Sequence, residues 1–122
     1  MVLMITELKD NELFVFGSNL AGIHAGGAAL QAKEQFGAEE GIGEGLTGRC
    51  YAFPTLERDM NKRGDKGLKK SVDRLFSTAR ALPEKIFLLT KVGCGIAGYD
   101  EKSMKSLFIN APENIIKPEY WN

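Results

Sequence analysis

The chain has 122 residues, 43% hydrophobic and 26% charged, proportions ordinary for one soluble globular domain with a single core. Its 16 basic and 16 acidic side chains cancel, which excludes a global field that would recruit nucleic acid or an acidic membrane. Two cysteines, Cys50 and Cys94, exclude a disulfide scaffold. No secretory pattern opens the chain, and no apolar run reaches the roughly 20 residues of a membrane span. A cytoplasmic protein with reduced thiols is therefore expected, in a single domain over residues 1–122. Glycine is the outlier, with 14 in all and nine of them from Gly17 to Gly48. Such density without repetition predicts loops that need positive φ or close backbone approach.

Met1–Ile5 is apolar and reads as a short first strand. Leu13–Phe16 is a second strand, apolar throughout and so expected to be buried on both faces. Ala28, Ala29, Ala32 and Phe36 recur at helical spacing, and Gly37 is a plausible stop. Gly41–Gly48 reads as a glycine-rich loop leading into Cys50–Phe53, a strand that Pro54 is expected to break. Leu56–Lys66 is highly charged and reads as an exposed, mobile loop, with Gly64 and Gly67 as breakers; the Lys62–Lys70 stretch is a solvated loop and helix start. Leu68, Val72, Leu75, Phe76 and Ala79 mark a long amphipathic helix that Pro83 closes. Ile86–Thr90 is a strand running into Gly93–Gly98, Asp100 an N-cap for a short helix carrying Met104, Leu107 and Phe108, and Ile115–Ile116 a last strand. Alternation of strands and helices predicts an α/β protein, a three-layer α/β/α sandwich on a mixed, largely parallel sheet.

Two loops carry chemistry. Residues 14–29 read as strand, polar glycine loop and helix, an order that leaves bare backbone N–H groups where an anion can sit. Gly93–Gly98 matches G-x-G-x-x-G between a strand and a helix. Only 24 residues follow Gly98, too few for the rest of a dinucleotide-binding half, so a nicotinamide dehydrogenase is not expected. In open α/β sheets ligands bind beyond the carboxyl ends of strands, where both loops fall. Asn19 carries a donor and an acceptor that suit a ribose hydroxyl, or else an Asx-turn closing its own loop. His24 is the only histidine, a candidate base or ribose contact but no metal site by itself. Cys94 near a helix start is a candidate for a lowered thiol pKa, and with His24 and Asp100 it gives the alternative of a thiol-dependent hydrolase. A non-catalytic interaction module, contacting partners through Pro118–Trp121, is the third reading.

The arrangement Gly17-Ser-Asn19, then Gly22-Ile-His-Ala-Gly-Gly-Ala-Ala29, then Gln35-Phe-Gly37, resembles the macrodomain signature. Tyr51-Ala-Phe-Pro-Thr55 is similar to the macrodomain strand ending in a Pro-Thr step. Gly93-Cys-Gly-Ile-Ala-Gly98 is similar to the Gly-Cys-Gly loop of macrodomains that remove terminal ADP-ribose from proteins. The order from Leu13 to Phe108 also looks like that of small macro-like proteins of bacteria and their phages. This resemblance implies a reduced macrodomain-like fold that binds ADP-ribose or a related NAD-derived nucleotide, free or attached to a protein, with no other cofactor. Asn19 would then contact the distal ribose, Gly26–Ala28 would line the diphosphate and ribose, and Gly93–Gly98 would offer N–H groups to the diphosphate. The ligand-binding candidates are Ser18, Asn19, Gly22, His24, Gly26, Gly27, Ala28, Thr55, Gly93, Cys94, Gly95, Ile96, Ala97, Gly98 and Tyr99. The chain departs from those glycohydrolases at Leu56 and Ala97, where they carry a lysine and an aspartate. Hydrolysis of an ADP-ribosyl bond is therefore left open, with His24 and Asp100 as the candidate catalytic residues. Glu7 and Asp10 are the candidates for the acid that reads adenine.

Overall fold

A computed structural model describes residues 5–95 and 97–121 of the chain. The elements run β1 (Glu12–Asn19), α1 (Gly27–Phe36), β2 (Gly45–Thr47), β3 (Cys50–Leu56), α2 (Asp65–Ala81), β4 (Ile86–Leu89), α3 (Glu101–Ser106) and β5 (Ile115–Ile116). The strand expected at Met1–Ile5 lies largely outside the described residues, and Ile5 itself is not in a strand but packs beside the Phe14–Phe16 core.

The sheet has five strands in the order β2-β3-β1-β4-β5. β1 is central and parallel to β3 and β4, β4 is parallel to β5, and β2 is antiparallel to β3. β1 is apolar without alternation because both of its faces are covered. Leu13 and Val15 point into one core with Tyr51, Phe53, Leu75, Phe87 and Phe108, under α2 and α3. Phe14 and Phe16 point into the other with Ala32, Phe36 and Ala52, under α1. Period-two side-chain geometry splits one strand between two cores, and the α/β/α sandwich follows.

The two faces also set where a ligand site can form. The connection leaving β1 passes through α1 on one face, while the connection leaving the adjacent β4 passes through α3 on the other. Between neighbouring parallel strands whose connections diverge in this way, a crevice opens beyond their carboxyl ends. Among the described residues no helix is long and apolar enough to cross a membrane.

Four local expectations are corrected. Gly45–Thr47, read as part of a glycine-rich loop, is strand β2. Pro54 does not break β3, which continues to Leu56. β2 pairs only as far as Ala52, so the β2 side of β3 carries no ladder at Pro54 while the β1 side stays paired, and the Pro54 carbonyl accepts from Arg63 Nη1 at 2.9 Å. Gly67 lies within α2 and does not stop it. A Cβ there would stand 3.0 Å from Arg63 Nη2, so the glycine seats a buried guanidinium, and its helix cost is the consequence. The segment after β3 is pinned as well as charged: Lys62 bridges back to Leu56, and Arg63 is only 9% exposed.

Candidate functional site

The crevice between the β1 and β4 loops is a cleft of about 630 Å3. This lies within the roughly 300–1,000 Å3 typical of small-molecule sites. Its walls come from the end of β1 (Gly17, Ser18, Asn19), the start of α1 (Ala25–Ala29), the end of β3 (Thr55, Leu56) and the β4 loop (Thr90–Gly95, Ala97).

The glycines fall into two functional groups, separated by what a Cβ would meet. Gly26 and Gly95 face open space, and a Cβ on either touches nothing within 4 Å. Gly17 is different: a Cβ there would be 3.3 Å from Gly93 N, so its missing side chain lets the β4 loop close over the end of β1. Gly22 and Gly43 are packing glycines. A Gly22 Cβ would be 2.3 Å from the Gly41 carbonyl carbon, and a Gly43 Cβ 2.3 Å from the Asn19 carbonyl oxygen. The 41–48 stretch thus braces the first loop from behind, helped by the Ser18 hydroxyl donating to the Gly43 carbonyl.

Residues whose backbone N–H groups lack acceptors line the cleft on both sides. α1 has no side-chain cap and no acidic residue in its first turn. Its first internal bond runs from Leu30 N–H to the Gly26 carbonyl at 3.2 Å, leaving the N–H groups of Gly27, Ala28 and Ala29 beyond the helical ladder. In the β4 loop, Cys94 N–H closes a turn onto the Lys91 carbonyl at 3.2 Å and Tyr99 N–H bonds Gly93 O at 2.8 Å. Among the described residues, the N–H groups of Gly93 and Gly95 have no acceptor. Unpartnered N–H groups at a helix N-terminus and in a glycine loop make a site suited to an anion.

Of the predicted contacts, Ser18, Asn19, Gly26, Gly27, Ala28, Thr55, Gly93, Cys94, Gly95 and Ala97 line this one cleft. Ile96 lies outside the described residues. Thr55 lines the cleft at a register slip, where Ser18 pairs with Pro54 but Asn19 pairs with Leu56, and it is buried with Oγ1 donating to the Ser18 carbonyl at 3.3 Å. The Asn19 amide is partly committed: Oδ1 accepts from Ile23 N–H at 3.0 Å and Nδ2 donates to Ile23 O at 2.8 Å, closing the loop. One amide hydrogen and one lone pair remain for a ligand.

The other predicted contacts do structural work outside the walls. Gly22 is the packing glycine already described. His24 is 1% exposed, with Nε2 on the Glu39 carbonyl at 3.0 Å and its ring edge-on to Phe16 at 5.2 Å. The Asp100 carboxylate caps α3 by accepting from Ser103 N–H at 3.1 Å, as expected for an N-cap. The Tyr99 hydroxyl lies 2.8 Å from the carbonyls of both Thr55 and Arg63, its one hydrogen serving one of them at a time, and Lys62 Nζ donates to the Gly98 carbonyl at 2.9 Å. Glu7 and Asp10 are exposed and do not line the cleft.

Activation of Cys94 is corrected. Burial first, then the neighbouring Glu101, pushes its thiol up, the wrong direction for a nucleophile. Its Sγ donates to the Val92 carbonyl at 3.6 Å, and it shares no hydrogen bond with His24 or Asp100. Within the terminal segment Tyr120 is 73% exposed, whereas Trp121 is turned inward. Trp121 is 2% exposed, packs 5.8 Å from Phe108, and donates its indole N–H to Glu101 Oε1 at 2.9 Å.

Sequence reasoning missed Ile23, Met60, Thr90, Lys91 and Glu101 as lining residues. Thr90 and Lys91 follow the end of β4, the place where α/β sheets put ligand contacts, and that rule alone would have found them. Among the described residues Lys91 and Glu101 are the charged side chains on the walls, and they pair at 3.1 Å. Met60 could not have been read from spacing, because it reaches the cleft through a tight turn in which its φ is +70°. No protein-family model, curated protein or solved structure matches this chain.

Proposed function

We propose that the chain binds ADP-ribose, or a closely related NAD-derived nucleotide, in the cleft between the β1 and β4 loops. The observation that carries this reading is the convergence of two sets of unpartnered backbone N–H groups, from α1 and from Gly93–Gly95, on one cleft. A diphosphate is the ligand group that uses donors arriving from two sides. Ile23 and Met60, 47% and 42% exposed on the cleft wall, offer apolar contact to a base. The spare hydrogen-bonding capacity of Asn19 suits a ribose hydroxyl. The macrodomain resemblance stated above agrees with the diphosphate and ribose assignments.

The reading is one of binding, not turnover. Leu56 and Ala97 both line the cleft at the positions where the resembling glycohydrolases carry lysine and aspartate, and neither can act as nucleophile or base. His24 and Asp100 are engaged elsewhere.

Isothermal titration with ADP-ribose tests the proposal directly: saturable heat is expected, and its absence at millimolar ligand would overturn it. Gly26→Asp gives a sharper test. Gly26 is the N-cap of α1 with extended backbone and open space at Cβ, so aspartate should cap the helix and place a carboxylate among the N–H groups. The fold should gain up to about 1 kcal/mol, while ADP-ribose affinity falls by about tenfold or more. Unchanged affinity in this variant would refute the α1 half of the site.

A further inference from the structure

Resting on the anion-binding reading of this cleft, we infer that Lys91 is the side-chain contact for the ligand's phosphate and that Glu101 is its exchangeable counter-ion. Lys91 sits two residues before Gly93, and its carbonyl closes the turn that presents the Gly93–Gly95 amides. Its ammonium is therefore tethered to the same loop as the backbone donors. Nζ lies 3.1 Å from Glu101 Oε1, and both side chains are on the cleft wall with 34% and 46% exposure. An exposed pair of this kind contributes little to stability and exchanges partners readily. A diphosphate offers Lys91 more charge than one carboxylate and receives backbone N–H groups at the same time.

Glu101 can release Lys91 because a second donor stays with it. The indole N–H of Trp121 holds the same Oε1 at 2.9 Å, and Trp121 is fixed by burial against Phe108. When Lys91 turns to a phosphate, the carboxylate keeps a hydrogen bond, its solvent exposure and its position. It also remains a negative charge on the wall, so it opposes an anionic ligand and sets the cleft's affinity. Lys91 and Glu101 thus act in opposite directions on the same ligand. A purely structural salt bridge would make both substitutions act in the same direction.

The test compares wild type, Lys91→Gln and Glu101→Gln, titrated with ADP-ribose and with uncharged adenosine. Glu101→Gln keeps an oxygen to accept from Trp121, so the local fold is retained. Lys91→Gln should weaken ADP-ribose binding by about tenfold, the factor that ~1.4 kcal/mol represents. Glu101→Gln should tighten it several-fold, and neither should move adenosine. Equal affinity in Lys91→Gln, or weaker binding in Glu101→Gln, would overturn the inference. Inorganic pyrophosphate provides a separate arm, read by the indole N–H resonance of the chain's single tryptophan. Loss of the Lys91–Glu101 pair should shift that resonance in wild type and leave it still in Lys91→Gln. A pyrophosphate shift without ADP-ribose binding would reject the nucleotide reading and retain the Lys91 assignment. No shift at millimolar pyrophosphate would reject the Lys91 assignment itself.

Discussion

Gly22 and Gly26 lie four residues apart in one loop, yet their physical reasons differ. Gly22 combines a φ of +72° with a backbone neighbour 2.3 Å from any Cβ, so both torsional preference and packing demand glycine. Gly26 has extended backbone and open space, so nothing in the fold demands it and the cleft is what its small size serves. Gly22→Ala should therefore destabilise by about 2–4 kcal/mol, combining overpacking with a left-handed non-glycine residue. Urea unfolding checks this; a change under about 0.5 kcal/mol, the scale of an ordinary surface substitution, would contradict it. The density of glycine was plain in the sequence. Which glycines pack and which face ligand was not, because that depends on segments, such as Gly41–Gly43, about 20 residues away. The same holds for Asn19, whose Asx-type closure on Ile23 is local, and for His24, whose burial against Phe16 and Glu39 is not.

At the scale of elements, the segment joining β3 to α2 shows how a charged stretch becomes ordered. Arg63 Nη1 donates to the Pro54 carbonyl at 2.9 Å and to Ser71 Oγ at 2.7 Å. Ser71 in turn donates to Glu44, which also accepts from Arg74 at 2.8 Å. One guanidinium thereby ties the end of β3 to α2 and, through Ser71, to the approach to β2. Arg63→Met fills similar space but leaves the Pro54 carbonyl without a buried donor, at an expected cost of about 2–3 kcal/mol in urea unfolding. A neutral result would mean that the network contributes nothing beyond its volume. The charge of residues 56–66 predicted exposure, and most of those side chains are exposed. Arg63 is the exception, and its partner glycine at position 67 read as a breaker because spacing alone cannot show a guanidinium stacked over it. The core helices were easier: Leu68, Val72, Leu75, Phe76 and Ala79 are all buried, as their periodicity demands.

For the whole molecule, pH dependence follows from where protons are held. Glu40 is kept below the ordinary carboxylate range by the His24 backbone N–H and then Lys33; Glu101 is kept below it by the Trp121 indole and then Lys91. A carboxyl with a depressed folded-state value contributes stability above its unfolded value and loses it as pH falls through the folded one. Cys50 works in the opposite sense. Burial pushes its thiol up to about 12, so its contribution is intact below the unfolded thiol value of about 8.5 and is lost as pH rises toward the folded one. The thermal midpoint should therefore be flat near neutrality and fall on both sides. The double variant Glu40→Gln, Glu101→Gln should blunt only the acid limb, and Cys50→Ala only the alkaline one; unchanged limbs in either variant would contradict these assignments. Native Cys50 should also resist alkylation at neutral pH and react once the chain is unfolded.

Apart from β2, which read as loop, and the end of β3, the sequence by itself determined the local geometry: which runs are strands and helices, that β1 is buried on both faces, and that two glycine loops follow the carboxyl ends of strands. These are matters of side-chain period and of the torsions glycine allows, and neighbours in the chain decide them. Only the tertiary structure decided that the two loops share one cleft. It also placed Lys91 and Glu101 on the cleft wall, withdrew His24 to a structural role, and buried Trp121 against Phe108. Those outcomes depend on strand order and on crossovers to opposite faces, which bring loops more than 60 positions apart into one cleft and set which side chains turn inward.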